Sequence, residues 1–186
     1  MKRIFELLVA LGLILTLAPL FLLVVLAVRL TSVGPVLFRT QRVGKGNKLF
    51  AMYKFRTMRI DTPQVATHLL KEPGQFLTPI GKFLRRTSLD ELPQLINMVR
   101  GEMSLVGPRP ALFNQEDLIA LRTAGGVDAL IPGITGWAQV NGRDELPIPE
   151  KVMLDEWYLK NRSLWLDLKI IGMTVFKVIR KEGVVH

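Results

Sequence analysis

The hydrophobic and polar positions divide the chain into an uncharged amino-terminal run and a longer part in which short periodic segments alternate with turns. Residues 7–28 carry no charge, and as one helix they would be about 33 Å long, enough to cross a hydrocarbon core of about 30 Å. Pro19 lies near the middle of this run, where it removes a backbone hydrogen bond, so we expect the helix to bend there. The run is longer than the apolar part of a typical signal peptide, and no small-residue cleavage site follows it.

Cations flank this run on both sides. Lys2 and Arg3 precede it, and five more follow it: Arg29, Arg39, Arg42, Lys45 and Lys48. Because Lys and Arg favour the cytoplasmic side of a membrane, a re-entrant hairpin that returns to its side of entry keeps both ends there. The charges therefore favour a hairpin, with a single straight span as the alternative. We divide the chain into a membrane hairpin, residues 1–30, and a second domain, residues 31–186.

The second domain is predicted to be of the α+β class and mostly helical. Residues 36–43 and 49–55 are rich in β-branched and aromatic side chains, and a Gly-rich turn joins them into a small hairpin. That turn lacks the GxxxxGK[ST] spacing of a phosphate loop. Helices are predicted at 80–86, 92–99, 114–123, 150–161 and 164–181, with Gly101 ending the second, and one short helix is expected at 64–71 within a loop over 61–79.

The last predicted helix has an apolar stripe formed by Leu164, Leu168, Ile171, Val175 and Val178. Trp165 lies at one end of the helix, and Lys and Arg occupy its polar positions. A basic amphipathic helix with a Trp suits a bilayer interface. A helix that faces the core of the protein fits the same pattern nearly as well.

Asp90 and Glu91 are adjacent acids at the predicted start of the second of these helices. Ser88 and Glu91 have the spacing of a capping box, in which each side chain bonds a backbone N–H of the first turn. Asp90 is not needed for that box, although an acid there also suits the helix dipole. Arg85 lies just upstream. Local physics leaves a structural cap and a chemical role equally open.

Composition narrows the chemistry that these acids can perform. The chain has no Cys and two His, His68 and His186, so thiolate, zinc and triad-type sites are improbable. Chemistry must then use carboxylates, hydroxyls, Lys or Arg. The 25 Lys and Arg against 16 Asp and Glu give a net charge of +9, which suits a phosphate-rich partner such as an anionic lipid, a nucleotide or nucleic acid.

Three segments present cations that could contact phosphate. A period of two places Lys54 and Arg56 on one face of a strand, either towards a phosphate or towards solvent. Arg109 lies between two prolines, which stiffen its backbone and hold out a guanidinium suited to bidentate phosphate recognition. The alternative is a rigid surface loop whose arginine has no role. A second rigid, Gly-rich loop spans residues 131–143 and ends in Arg143.

Trp137 is the one aromatic residue of that second loop. Its ring and the neighbouring glycines could pack against a flat ligand. A Trp buried as an anchor beneath the loop is equally consistent with the pattern.

Five segments in this order resemble the small bacterial sugar transferases, the monotopic phosphoglycosyl transferases that move a sugar 1-phosphate from a UDP-sugar onto undecaprenyl phosphate. They cover nearly the whole chain. They are Pro19 within the apolar run, KFRTM at 54–58, SLDEL at 88–92, MSLVGPRP at 103–110 and PGITGWAQVNGR at 132–143.

The resemblance implies a role for each candidate residue. Asp90 would be the nucleophile that forms a covalent phosphosugar intermediate and releases UMP, and Glu91 would complete the dyad by assisting the lipid phosphate. The family holds Mg²⁺ at the dyad, so Asp90 is the expected metal residue. The expected substrate-binding residues are Lys54, Arg56, Arg85, Arg109, Gln139 and Arg143.

The resemblance also implies a place in the cell. The family has a re-entrant membrane helix broken at a Ser-Pro pair, which is Ala18-Pro19 here, and its active site lies among interfacial helices on the cytoplasmic face of the bacterial inner membrane. The expected partners are UDP-sugar, undecaprenyl phosphate and membrane lipids rather than nucleic acid. This short form of the family favours an N-acetylated amino sugar. Competing hypotheses are a membrane-tethered binding module without catalysis and a polyprenyl-phosphate or nucleotide phosphatase.

Overall fold

The computed structural model describes residues 2–63, 73–142 and 146–180, which are mostly helical with two small β-pairs. The predicted short helix at 64–71 lies outside the described residues, and the other predicted helices are confirmed as α3, α4, α5, α7 and α8. The helices are α1 (Lys2–Thr16), α2 (Ala18–Thr31), α3 (Gly81–Arg86), α4 (Gln94–Arg100), α5 (Glu116–Ala124), α6 (Trp137–Asn141), α7 (Ile148–Asn161) and α8 (Leu164–Arg180), and the strands are β1 (Leu37–Val43), β2 (Leu49–Phe55), β3 (Ser104–Val106) and β4 (Gly133–Thr135).

The apolar run is broken into α1 and α2, which are bent by 62°. Pro19 lies in the first turn of α2. Backbone N–H groups in that turn have no partner within the helix, so the proline costs the helix no hydrogen bond. The hydroxyl of Thr16 donates to the carbonyl of Gly12 at 2.9 Å, a back-bond that favours bending. In the described parts of the chain no helix could cross a bilayer by itself, and this bent pair is long and apolar enough only when its halves are taken together.

Both ends of the helix pair attach to the same globular body. At the start of α1, Arg3 donates to the carbonyls of Met98 and Val99 in α4, at 2.6 and 2.9 Å. Just beyond α2, the carbonyl of Ser32 accepts a hydrogen bond of 2.9 Å from Arg56. Because α4 and β2 belong to one core, the two ends of the pair are held by the same body.

One face of the pair packs on the core, and the opposite face is apolar and exposed. Ala10 of α1 and Val24 and Val28 of α2 are buried against the hairpin and the helices around it. The exposed face carries mostly leucines: Leu8, Leu11, Leu15, Leu22, Leu23, Leu26 and Leu30. An apolar face of this extent is expected to be covered by something other than water.

The β-hairpin predicted over 36–43 and 49–55 is confirmed. β1 and β2 pair antiparallel, with Leu37 opposite Phe55. The buried side chain of Asn97 on α4 accepts from the N–H of Tyr53 at 3.1 Å and donates to the carbonyl of Ala51 at 2.7 Å. This amide fixes α4 against β2, and so fixes the two elements that flank the Asp90 segment.

A parallel pair, β3 with β4, was not expected from the sequence. It brings Val106 opposite Thr135, so the loop predicted over 131–143 contains both β4 and the short helix α6. Gly107 makes this approach possible, because a Cβ at that position would lie 2.3 Å from the carbonyl oxygen of Ile131. The pairing holds the segments before Arg109 and before Gln139 side by side.

Helix α8 contacts the core mainly through residues outside the predicted stripe, although Ile171 of the stripe also packs against the core. Leu166, Asp167 and Ile170 are the buried residues of its first half. In contrast, Leu164, Leu168 and Val175 are about half exposed or more, at 65, 48 and 53 %. Leu164, Leu168 and Val175 of the stripe therefore face outwards, which favours the bilayer-interface reading over the core-facing one.

Candidate active site

Asp90 and Glu91 lie in a single 3₁₀ turn, Leu89–Glu91, ahead of α4. The capping box predicted from Ser88 and Glu91 is wrong, because the Ser88 side chain makes no capping hydrogen bond and its φ is +55°. Helix α4 starts only at Gln94, after Pro93. A left-handed conformation at a serine is strained and is commonly kept at functional sites. The turn therefore presents the two acids without using Glu91 as a cap.

Cations from two other segments reach the acids. Lys54, near the end of β2, places its Nζ 2.6 Å from Glu91 Oε1 and 4.0 Å from Asp90 Oδ2. Arg109 places its Nη1 4.0 Å from the same Glu91 oxygen. The structure thus brings together Asp90, Glu91, Lys54 and Arg109, which are candidate site residues from three separate sequence motifs.

Asp90 is buried, with 7 % of its surface exposed. Burial raises the pKa of its carboxyl to about 6, and the negative charge of Glu91 adds to the rise, whereas Lys54 and Arg85 oppose it. A desolvated carboxylate has lost much of its hydration and is a stronger base and nucleophile than one in water. At neutral pH this side chain is still mostly ionised.

Arg85 approaches Asp90 from the end of α3. Its Nε donates to the hydroxyl of Thr57 at 3.0 Å, which fixes the guanidinium. Burial lowers the pKa of Arg85 and the charge of Asp90 opposes that effect. Because an arginine stays protonated through such shifts, Arg85 is a fixed positive charge at the edge of the turn.

The Arg109 segment is held by residues that the sequence analysis missed. Arg122 on α5 donates to the carbonyl of Arg109 at 2.8 Å, and it also forms a buried ion pair with Asp155 on α7. The sequence did contain one sign of this role. Arg122 follows Leu118 by four residues, so it lies on the same, buried side of the helix. Such charges are rarely buried unless they are paired.

Arg56 requires a correction. The alternation put it on the same strand face as Lys54, towards either a phosphate or solvent, but β2 ends at Phe55 and the Arg56 side chain is buried. Its guanidinium donates to the carbonyls of Val33 and Ser32 at 2.5 and 2.9 Å, and to the Ser32 hydroxyl at 2.7 Å. Arg56 therefore ties the end of the amino-terminal helix pair to the hairpin.

Gln139 and Trp137 support the second loop from within. Gln139 donates its amide to the carbonyl of Ile134 at 3.0 Å, so it braces the turn between β4 and α6. The Trp137 ring stacks on Trp157 with centroids 4.7 Å apart, which favours the anchor over the ligand-stacking reading. Arg143 lies outside the described residues.

The dyad suits a magnesium ion by the chemistry of its donors. Among the residues described, no three acidic, His or Cys side chains cluster in a way that could form a complete metal site. Mg²⁺ is commonly held by one or two carboxylates together with water and substrate phosphates, and Asp90 with Glu91 supplies such a pair. Lys54 contacts both acids, so it would share their oxygens with the ion.

The chain matches the bacterial sugar transferase family model over residues 1–181. It is 42 % identical to EpsL, an uncharacterized sugar transferase of Bacillus subtilis (strain 168), over 99 % of this chain and 90 % of that protein. It is 43 % identical to the undecaprenyl-phosphate glucose phosphotransferase of Komagataeibacter xylinus and 40 % identical to the UDP-glucose:undecaprenyl-phosphate glucose-1-phosphate transferase of Escherichia coli (strain K12).

These two matches cover 96 and 95 % of this chain but only 36 and 40 % of the relatives, so the chain spans about two-fifths of their length. The family match and the identity to EpsL confirm the resemblance drawn from the five segments. By both measures, the chain belongs to the bacterial sugar transferase family.

Proposed function

We propose that the chain transfers a sugar 1-phosphate from a UDP-sugar to undecaprenyl phosphate, with Asp90 as the nucleophile. The observation that carries this proposal is a desolvated carboxylate with a second acid beside it and cations from three segments around it. The names of the relatives, which specify glucose phosphotransfer to undecaprenyl phosphate, support the same reaction class.

In the first step an oxygen of Asp90 attacks the phosphorus that bears the sugar. A bond forms between that oxygen and phosphorus, the bond to the bridging oxygen of the diphosphate breaks, and UMP leaves with the electron pair. The product is an aspartyl phosphosugar. Because the donor's nucleotide departs before the lipid reacts, the two substrates need not be bound together.

In the second step a phosphate oxygen of the lipid attacks the same phosphorus and Asp90 is released. In this proposal Glu91 accepts a proton from the lipid phosphate if it arrives protonated, and orients it. The ion pair of Glu91 with Lys54, 2.6 Å long, fixes the Glu91 carboxylate beside Asp90. The product is the lipid-linked sugar diphosphate.

Phosphoryl transfer is promoted mainly by positive charge on the phosphate oxygens. We assign this role to Arg85 and Arg109, because each lies close to one acid of the dyad. A magnesium ion held by Asp90 and Glu91 would supply further positive charge to the donor's diphosphate. Lys54 then balances the remaining negative charge of the pair.

The test of this mechanism compares matched carboxylate-to-amide changes. We expect Asp90→Asn to lose UMP release. When its reaction with UDP-sugar alone is quenched, mass spectrometry of the intact protein should show no added mass. Asp117→Asn alters an exposed acid at the start of α5 and should retain both. An active Asp90→Asn enzyme refutes the proposal.

Two alternative results would identify the competing functions. Label from a phosphate-labelled donor that leaves as free phosphate rather than on lipid would indicate a phosphatase. Salt-sensitive lipid binding with no turnover in the native protein would indicate a binding module. The sugar is tested with a panel of UDP-sugars that includes both N-acetylated amino sugars and the hexoses named for the relatives.

We also propose that α1 and α2 form the re-entrant hairpin of a protein in the bacterial inner membrane, with the 31–186 domain on the cytoplasmic face. Both ends of the pair bind one body, and its outer face is apolar. The chain has no Cys, so a single introduced thiol reports one position. Lys2→Cys should be labelled from the same side as Lys48→Cys, and labelling from opposite sides would establish a full crossing.

A further inference from the structure

Three successive carbonyls around Arg109 are each fixed by a different element. The carbonyl of Pro108 accepts from the N–H of Gly133 at 2.9 Å. The carbonyl of Arg109 accepts from Arg122 at 2.8 Å, and that of Pro110 from Arg42 at 3.1 Å. A segment between two prolines is already stiff, and these bonds fix where it lies on the protein.

The contact from Arg122 differs from the others because its own position depends on an acid. Arg122 donates from Nε and Nη2 to one oxygen of Asp155, at 3.0 and 2.6 Å, and from Nη1 to the carbonyl of Arg109. Arg122 and Asp155 are 8 and 2 % exposed. One planar guanidinium thus joins α5, α7 and the Arg109 segment, whereas a lysine ammonium has no such fork.

We infer that Arg122 and Asp155 are positioning residues for the donor diphosphate, and that they act through Arg109. The inference rests on the proposed function in that it takes Arg109 to bind the donor's diphosphate. Neither residue is among the described contacts of the dyad; their described link to the site is the Arg109 carbonyl.

The size of the effect follows from the location of Arg109. Its side chain is 37 % exposed and its Nη1 is 4.0 Å from Glu91, so its guanidinium lies at the edge of the site and its backbone decides where it points. A displacement of about 1 Å can lower a rate by about 100-fold, which sets the upper end of the effect. We expect Asp155→Asn to weaken donor binding by about 10- to 100-fold, as a rise in KM with a smaller change in kcat.

Glu156→Gln is the matched control. Glu156 is the next residue of the same helix, undergoes the same change from carboxylate to amide, and pairs with Lys160 at 3.9 Å on a more exposed face. Its change should leave KM within about twofold of the native value, since it contacts no part of the Arg109 segment in the described interactions.

A double-mutant cycle distinguishes positioning from general support of the fold. If Asp155 acts through Arg109, then Asp155→Asn adds little once Arg109→Ala has removed the side chain that it positions. If Asp155 only supports the fold, its effect persists in full in the Arg109→Ala background. Arg122→Lys, which keeps the charge opposite Asp155 but loses the fork, provides a second cycle should Asp155→Asn fail to fold.

The cycle is measured on the full chain in detergent, with two readouts: binding of UDP by calorimetry and KM for the UDP-sugar. Weaker UDP binding in Asp155→Asn and Arg122→Lys, with no further loss beyond Arg109→Ala, supports the inference. Additive losses, unchanged UDP binding in both variants, or no UDP binding by the native protein overturn it. If the native protein binds UDP but forms no lipid-linked sugar, the proposed function is contradicted. The double-mutant cycle on UDP binding then still decides the inference about Arg122 and Asp155.

Discussion

Asp90 should lower the stability of the protein as the cost of its proposed chemistry. Its pKa is about 6 in the folded chain against an ordinary value of 3.8, mainly because burial removes water from the charged form. At 1.36 kcal/mol for each pH unit, the ionised carboxylate costs the native state about 3 kcal/mol at neutral pH. Replacing it by the neutral, similarly shaped Asn removes this cost.

The sign of the pH dependence follows from the same difference. Between about pH 4 and 6 the native state binds more protons at this position than the unfolded state does, so the free energy of unfolding falls as the pH rises and then levels off. We therefore expect Asp90→Asn to be more stable than the native protein above pH 7, and the difference to shrink as the pH falls from about 6 and to vanish below about pH 4.

The assay is thermal unfolding followed by Trp fluorescence in detergent with a chelator present, so that no divalent ion stabilises the carboxylate. A gain of about 3 kcal/mol corresponds to roughly 6–12 °C in the midpoint for a chain of this size. Adding Mg²⁺ should narrow the gap by stabilising the native protein alone. An Asp90→Asn variant that is no more stable than the native protein at pH 7.5 would refute the reasoning.

The remaining predictions concern residues other than Asp90. Lys54→Gln removes the largest charge that lowers the pKa of Asp90, so the acid limb of kcat/KM should move to higher pH; an unmoved limb contradicts this. Arg56→Met should lower the free energy of unfolding by about 2–4 kcal/mol through its lost hydrogen bonds, while KM is unchanged. A tenfold rise in KM would instead indicate that Arg56 binds substrate. Gly107→Ala should cost about 2–3 kcal/mol in chemical unfolding because its Cβ would meet a carbonyl, whereas Gly74→Ala, with nothing within 4 Å, should cost little.

Elements with a clear period were predictable from the sequence. The hairpin over 36–43 and 49–55 and the helix that follows Ile80 depend on near neighbours, and the structure places them within two residues of the expected bounds. The pair β3 and β4 was not predictable in this way. Each strand has three residues, too few to show an alternation, and the partners lie nearly 30 residues apart in the sequence.

Local motifs misled where a neighbouring residue imposed a stronger constraint. The spacing of Ser88 and Glu91 matches a capping box, but Pro93 lacks an N–H and delays the helix to Gln94. The alternation of Lys54 and Arg56 holds only while the strand continues, and the strand ends between them. In each case the spacing was real, but the regular element did not include every residue that the pattern requires.

The net charge of the chain did not indicate which cations belong to the candidate site. Arg3, Arg56 and Arg122 each direct guanidinium donors to backbone carbonyls of distant segments, a task for which a planar fork suits better than an ammonium. These arginines join elements together whatever the partner of the protein is. By contrast, Lys54 and Arg109 contact the carboxylates of the dyad, where a phosphate would bind. The excess of +9 therefore includes arginines that join elements of the fold as well as the cations that we propose for phosphate recognition.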